Sequence, residues 1–314
     1  MSTATMESTE RTRALLTSSE PRRKSVDRLM TVLIWAAFVV AMIPLVSLLW
    51  TVLVNGSGRI SIDFLTYSMR GIFGGDPSGG IYHAIMGTLI ITGWAALISI
   101  PIGLLTAIYL VEYGRGALAR SVTFFVDVMT GIPSIVAGLF VVALMTIFLG
   151  PGARFGIMGA IALSVLMIPV VVRSCEEMLK LVPNELREAS YALGVPKWLT
   201  IVRVVLRTSV AGLTTGILLA VARVIGETAP LLVAVGITDS INLNAFEGRM
   251  TTLPVFIYRQ YSQGPATCRE DQLNCIVDIS NQNAWGAALV LIVVVMLLNI
   301  AGRLVNRWFA PKLR

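Results

Sequence analysis

The sequence predicts an all-helical membrane protein with six spans, on three observations. Apolar residues make up 55% of the 314-residue chain against 14% charged, and mean hydropathy is +0.79, too apolar for an ordinary soluble chain. The excess sits in six blocks, near residues 30–54, 84–111, 121–149, 157–179, 208–235 and 284–305. Each meets or exceeds the roughly 17 apolar residues that a bilayer crossing needs. Between the blocks, Lys and Arg alternate in density: with the N-terminus inside, eighteen fall on the cytoplasmic side and six on the outer side. That asymmetry puts both termini and the segment 180–207 in the cytoplasm. The formal charge of +7 is therefore a matter of topology, since nucleic-acid binding would ask for basic residues clustered among aromatic platforms.

Residues 1–28, rich in Ser, Thr and Arg, read as a disordered cytoplasmic tail. They are not a cleaved signal peptide, because the apolar run that follows is too long and lacks a small-x-small site. Residues 29–83 hold the first crossing and an outer loop. In that loop the run from Gly74 to Gly80 reads as a flexible loop rather than a phosphate cradle, with no Lys-Ser/Thr after it and no strand before it. No Walker A sequence occurs elsewhere, so any ATPase must be another chain. His83, the sole histidine, is expected at the membrane interface; without a Cys or carboxylate cluster it makes no ligand set, and no metal or cofactor is expected. Pro44, Pro101, Pro133, Pro169 and Pro230 interrupt five of the six blocks, as membrane helices tolerate where neighbours satisfy the freed carbonyls. Gly131-Ile132-Pro133-Ser134 and Gly138 read as small surfaces for close helix packing.

The polar segment at 180–207 predicts a helical pair. Asn184 caps a helix from Glu185, Gly194 supplies its left-handed stop, and Pro196 opens the second helix. Leu186, Ala189, Ser190 and Leu193 share one face. The fifth block, Thr208 to Val235, carries two charges, Arg223 and Glu227. On one continuous helix they stand on the same face about 6 Å apart and can pair. An Arg inside a membrane costs on the order of 2.5–3.5 kcal/mol, so it faces protein or water. Arg173, near the inner end of the fourth block, either snorkels, pairs with Glu176 or Glu177, or meets substrate. In the outer segment 236–283, Cys268 and Cys275 could close a small disulfide ring or stay as thiols, while Cys175 is expected free. Leu253 to Tyr261 predicts a short amphipathic helix at the outer surface, and Arg303, Arg307 and Trp308 anchor the last span at the cytoplasmic interface.

Two motifs carry a family resemblance. Glu188-Ala189-Ser190, then Gly194, then Val204 and Leu206 resembles the EAA motif of permease subunits of binding-protein-dependent ABC importers. Ser190 replaces the second Ala, Val204 the usual Ile, and Arg207 stands where the motif ends in Pro. Ala222 through Leu232, ARVIGETAPLL, resembles the ARxxGETAPLL signature of the PstA family of phosphate importer permeases; the partner permease of that system, PstC, diverges after Gly-Glu-Thr. The resemblance covers residues 84–314 as an ABC permease transmembrane domain with a coupling loop at 180–207. It implies a type I ABC importer permease fold, a bacterial inner-membrane location, and a transport subunit rather than an enzyme. The partners it implies are a cytoplasmic ATP-binding cassette ATPase dimer, a second permease resembling PstC, and an extracytoplasmic phosphate-binding protein. It implies ATPase docking at Glu188, Ala189, Ser190 and Gly194, and a substrate pathway at Arg223, Glu227, Thr228 and Arg173. Arg223 would attract the anion, and Glu227 would hold Arg223 in place. Other readings are a permease for sulfate or molybdate, a nucleotide-independent carrier using Arg223 and Glu227 as an ion relay, and a structural or sensory membrane subunit. A membrane hydrolase would need a Ser/His/Asp, metal or paired-carboxylate set that the sequence does not offer.

Overall fold

The computed structural model describes residues 21–268 and 274–309; residues 1–20 of the expected tail lie outside them. Every regular element among the described residues is a helix. The chain divides into two compact units, Met1–Val54 and Asn55–Arg314.

Helix α1, Pro21–Ser57, supplies what is described of the first unit. It begins earlier than the expected tail boundary at residue 28. Pro21 suits a first helical position, and no breaker separates Arg22-Arg23-Lys24 from the apolar run. Ile34, Val40, Ile43 and Trp50 are each more than 60% exposed, and a helix apolar all round has no face for water. Pro44 lies within it without ending it.

The second unit starts with α2, Ile62–Thr66, capped by Ser61 Oγ, which accepts from the Phe64 amide at 3.1 Å. Helix α3, Tyr82–Ile108, closes in a π-helical turn, Tyr109–Tyr113. Helices α4, Gly116–Thr130, and α5, Ser134–Leu149, correct the expected third span: the chain bends by 106° between them. Gly131 ends α4, and Pro133 has no amide to continue the ladder and holds Ile132 out of helix. With 15 and 16 residues, each half falls short of a bilayer core of about 30 Å at about 1.5 Å per residue.

Helix α6, Gly156–Lys180, is a full span. Helix α7 covers Asn184–Ala192 and α8 Lys197–Thr200. From α8 the chain runs through a second π turn, Ile201–Val205, into α9, Leu206–Ile225. The fifth crossing is thus Lys197–Ile225, displaced from the expected 208–235. Arg207 neither starts nor stops it, because nothing before Gly212 breaks the helix. Beyond Gly226 the chain turns into α10, Ala229–Ala234, with Pro230 in its first turn. Helix α11, Leu253–Gln263, contains the short helix predicted at Leu253 to Tyr261, and α12, Ile279–Phe309, is the last span.

The core lies along α3 and α6, the most extensively packed helix pair. Ala95 and Ala107 are fully buried with Leu163, Met167 and Val171. A Cβ on Gly103 would come within 2.6 Å of Val171 Cγ1, so glycine lets the helices close. A smaller cluster joins Phe64, Ile81, Leu253, Phe256 and Ala287. His83 belongs beside it: at 2% exposure it stacks edge-on against Phe256 at 5.6 Å. Helix α11 covers the start of α3, so His83 packs inside the protein at the end of its span.

Arg59 reaches the glycine-rich loop of residues 74–80. Arg59 Nη2 donates to the carbonyls of Pro77 at 2.6 Å and Gly79 at 3.0 Å, and its Nε to Asn283 Oδ1 at 2.7 Å. Burial lowers the Arg59 pKa from its ordinary value, and these acceptors offset the desolvation of its charge. Cys268 and Cys275 are joined as a disulfide, and Cys175 is free and buried.

Candidate functional site in the membrane cavity and the inner loop

The break between α4 and α5 opens a cavity of about 240 Å³. Its polar lining is Thr130, Ser134, Arg223 and Glu227; Leu166, Pro169 and Val170 of α6 make an apolar wall. Local sequence builds each side. Gly131 and Pro133 stop α4 and restart α5 with Ser134 at its first position. Gly226 stops α9 just beyond Arg223. The cavity therefore meets the N-terminal end of α5, whose free amides favour an anion, and the C-terminal end of α9, which favours the Arg223 cation.

Arg223 and Glu227 share this cavity but do not form the expected pair: no ion pair joins them, and among the described residues Arg223 has no salt-bridge partner. The pairing expectation assumed one helix through both residues. Glu227 instead sits in the break, its amide donating to the Val224 carbonyl at 3.1 Å. An unpaired guanidinium on a cavity wall presents a fork of donors that matches an oxyanion. Thr228 does not line the cavity; its carbonyl accepts from the Leu232 amide at the start of α10.

Arg173 lies apart from the cavity lining, one turn further along α6 than Pro169. Its Nη1 donates to Glu176 Oε2 at 2.9 Å and its Nη2 to Asp127 of α4; Lys180 Nζ donates to Glu176 Oε1 at 2.7 Å. Of the partners expected from sequence, Glu176 is used, and Asp127 had no local signal, being 46 residues away. A second cavity of about 290 Å³ also contains an arginine, Arg259. That one is neutralised in two-pronged fashion by Asp239, at 2.6 and 3.1 Å.

The segment 180–207 presents a different surface. Glu185, Leu186, Glu188 and Ala189 are exposed on α7, and Leu193, just past its end, is 83% exposed. Gly194 adopts φ +77°, the left-handed stop expected of it. Ser190 is turned the other way: it is buried, and its hydroxyl bonds that of Thr200 at 2.8 Å, tying α7 to α8. Asn184 is the first helical residue rather than a cap. Its Oδ1 accepts from Arg187 instead of from the helix amides. Among residues that sequence reasoning missed, Thr130 and Ser134 flank a Gly-x-Pro break, which is a readable signal, whereas Glu112 and Arg187 make a contact 75 residues apart that no local pattern announces.

The family model of the binding-protein-dependent transport system inner membrane component matches residues 99–314. The chain is 48% identical over 287 residues to phosphate transport system permease protein PstA 1 of Mycobacterium tuberculosis (strain CDC 1551 / Oshkosh), covering 91% of this chain and 90% of that protein. It is 44% identical over 283 residues to the PstA permease of Mycobacterium leprae, covering 90% and 88%. It is 38% identical over 284 residues to that of Haemophilus influenzae, covering 90% and 94%. In shape it resembles a chain of the bacterial alginate ABC transporter solved with an alginate pentasaccharide-bound periplasmic protein. That match has TM-score 0.63 at 14% identity and covers 93% of this chain and 99% of that one. It also resembles a chain of the inward-facing MetNI methionine ABC transporter, with TM-score 0.53 at 19% identity and coverage of 74% and 95%. At such identities these two likenesses speak for the fold alone. The spans, the inner helical pair and the relatives agree: this chain is a multi-pass membrane protein that belongs to the inner membrane component family of binding-protein-dependent transport systems, alongside the PstA phosphate permeases.

Proposed function

We propose that this chain is one of two transmembrane subunits of an ATP-driven importer that carries inorganic phosphate into the cell, with both termini and the loop at 180–207 in the cytoplasm. The observation that carries the reading is the Arg223 guanidinium, without a salt-bridge partner among the described residues, on the wall of a cavity that the N-terminal end of a broken helix also lines. A broken span with its helix N-terminus toward an anion site is a recurrent transporter arrangement. The 48% identity to a phosphate permease supports phosphate as the anion over sulfate or molybdate.

The ion, delivered by an extracytoplasmic binding protein, loses water on entering the cavity and recovers part of that hydration from Arg223 and the free amides of α5. Glu227 on the same wall repels the anion and weakens its hold, which lets it leave. Arg173, its charge offset by Asp127 and Glu176, keeps α4 against α6 at the inner end of that wall. Thr228 sets the turn that leads into α10. Glu188, Ala189 and the Gly194 turn offer a short exposed helix to a cleft of a cytoplasmic ATPase dimer, and Ser190 fixes that helix on α8. A second permease resembling PstC completes the pathway.

Uptake of labelled phosphate into vesicles, with the ATPase, the second permease and the binding protein supplied or withheld one at a time, tests this reading. Import is expected only with the full set, competed by arsenate and untouched by sulfate. Transport by this chain alone, without nucleotide, would overturn it.

A further inference from the structure

Arg187 on α7 is the most heavily bonded side chain of the inner loop. Its Nε and Nη2 donate to Glu112 Oε1 at 3.1 and 3.0 Å. Its Nη1 donates to the Val182 carbonyl at 2.6 Å and to Asn184 Oδ1 at 3.2 Å, and its Nη2 also reaches the Leu179 carbonyl at 3.2 Å. Leu179 is in the last turn of α6 and Val182 lies just past its end; Glu112 lies in the π turn that closes α3. The pair is largely withdrawn from water, the side chains of Arg187 and Glu112 being 13% and 5% exposed. From the other flank, Lys197 at the start of α8 donates to the Glu112 carbonyl and stands 4.5 Å from the centre of the Tyr113 ring. Both short inner helices are thus fastened to the same five-residue π turn.

We propose that the Glu112–Arg187 pair transmits force, carrying displacement of α7 into α3 and α6 and so to the wall of the anion cavity. The inference rests on the reading that α7 docks on the ATPase, and goes beyond it by naming the contact through which docking reaches the site. Three physical facts carry it. A buried pair whose arginine also donates to main-chain carbonyls cannot slip without leaving a charge unpaired, so its two ends move together. A π turn holds a surplus residue in a helix and is a place where a span can be wound or unwound. Beyond that turn, α3 and α6 are close-packed through Gly103 against Val171, and α6 supplies Leu166, Pro169 and Val170 to the cavity. Tightly packed helices pass movement on rather than absorb it.

The test uses the complete reconstituted complex carrying Glu112→Gln, Glu112→Ala or Glu112→Asp, with three readouts: ATPase retained on the purified complex, ATP hydrolysed, and labelled phosphate imported. Glu112→Gln keeps the size and shape of the side chain, so its membrane abundance serves as the folding control. The expected result is normal ATPase retention and continued hydrolysis, with phosphate imported per ATP falling about tenfold for Gln and Ala, an ordinary coupling magnitude. Glu112→Asp is expected to recover most of the loss. Unchanged import per ATP in Glu112→Ala would overturn the proposal. So would loss of the ATPase from the variants but not from the wild type, since the pair would then only present the docking helix. If an Ala189→Arg change on the exposed face of α7 leaves ATPase retention intact, the docking reading itself falls and takes the proposal with it.

Discussion

Arg173 and Arg223 illustrate how the same side chain serves opposite ends. Arg173 spends its donors on Asp127 and Glu176, leaving little charge for a visitor. Arg223 has no such partner among the described residues and keeps its fork for the cavity. Substituting the first should therefore act mainly on stability: Arg173→Gln is expected to lower it by about 1 kcal/mol, since the arginine is a third exposed and its pairs are screened. A thermal melt of the purified complex reads this directly. Ser190→Ala removes the bond to Thr200 and should cost about 1 kcal/mol, weakening ATPase retention in co-purification. From sequence, Leu186, Ala189, Ser190 and Leu193 were legible as neighbours on one helix. Which of them turn inward was not, because inside is defined by α8 and by the end of α3, and neither is visible in a nine-residue pattern.

Helix length was the most readable property, and helix breaks the least. The crossings at α3, α6 and α12 follow from apolar runs long enough to span. The breaks after Thr130 and Ile225 interrupt stretches whose apolar composition continues on both sides, and a proline in a membrane helix can kink it or leave it whole, as Pro44, Pro101 and Pro169 show. Gly131 with Pro133, and Gly226 with Pro230, end helices where a glycine, a weak helix former, stands two to four residues ahead of the missing amide. These breaks matter because they build the site. At Gly138, an added Cβ would lie 2.7 Å from Pro230 Cα, so Gly138→Ala should push α10 from α5. The expected cost is about 1–3 kcal/mol, with phosphate uptake falling more than complex yield; equal uptake at equal yield would show that the α5–α10 contact is unrelated to the cavity.

Across the molecule, eighteen basic residues against six support the proposed orientation with both termini in the cytoplasm, and that orientation would put the disulfide between Cys268 and Cys275 on the oxidising side. With Cys175 fully buried, a membrane-impermeant maleimide applied to intact cells should label the chain only after reduction. Labelling without reductant would mean either an open pair or a reversed topology. Phosphate as the proposed anion was legible in the stretch from Ala222 to Leu232 through resemblance, whereas the cavity lined by Arg223 was not. Its walls come from α4, α5, α6 and α9, and only folding brings them together.

Arg223, without a salt-bridge partner among the described residues, is the centre of the proposed anion path. Vesicles carrying the complete complex with Arg223→Gln provide the most direct measurement: the subunits should assemble and retain the ATPase, while uptake of labelled phosphate falls to the level seen without ATP. Wild-type uptake by that variant, at matched amounts of complex, would contradict the assignment of Arg223 to the anion's path.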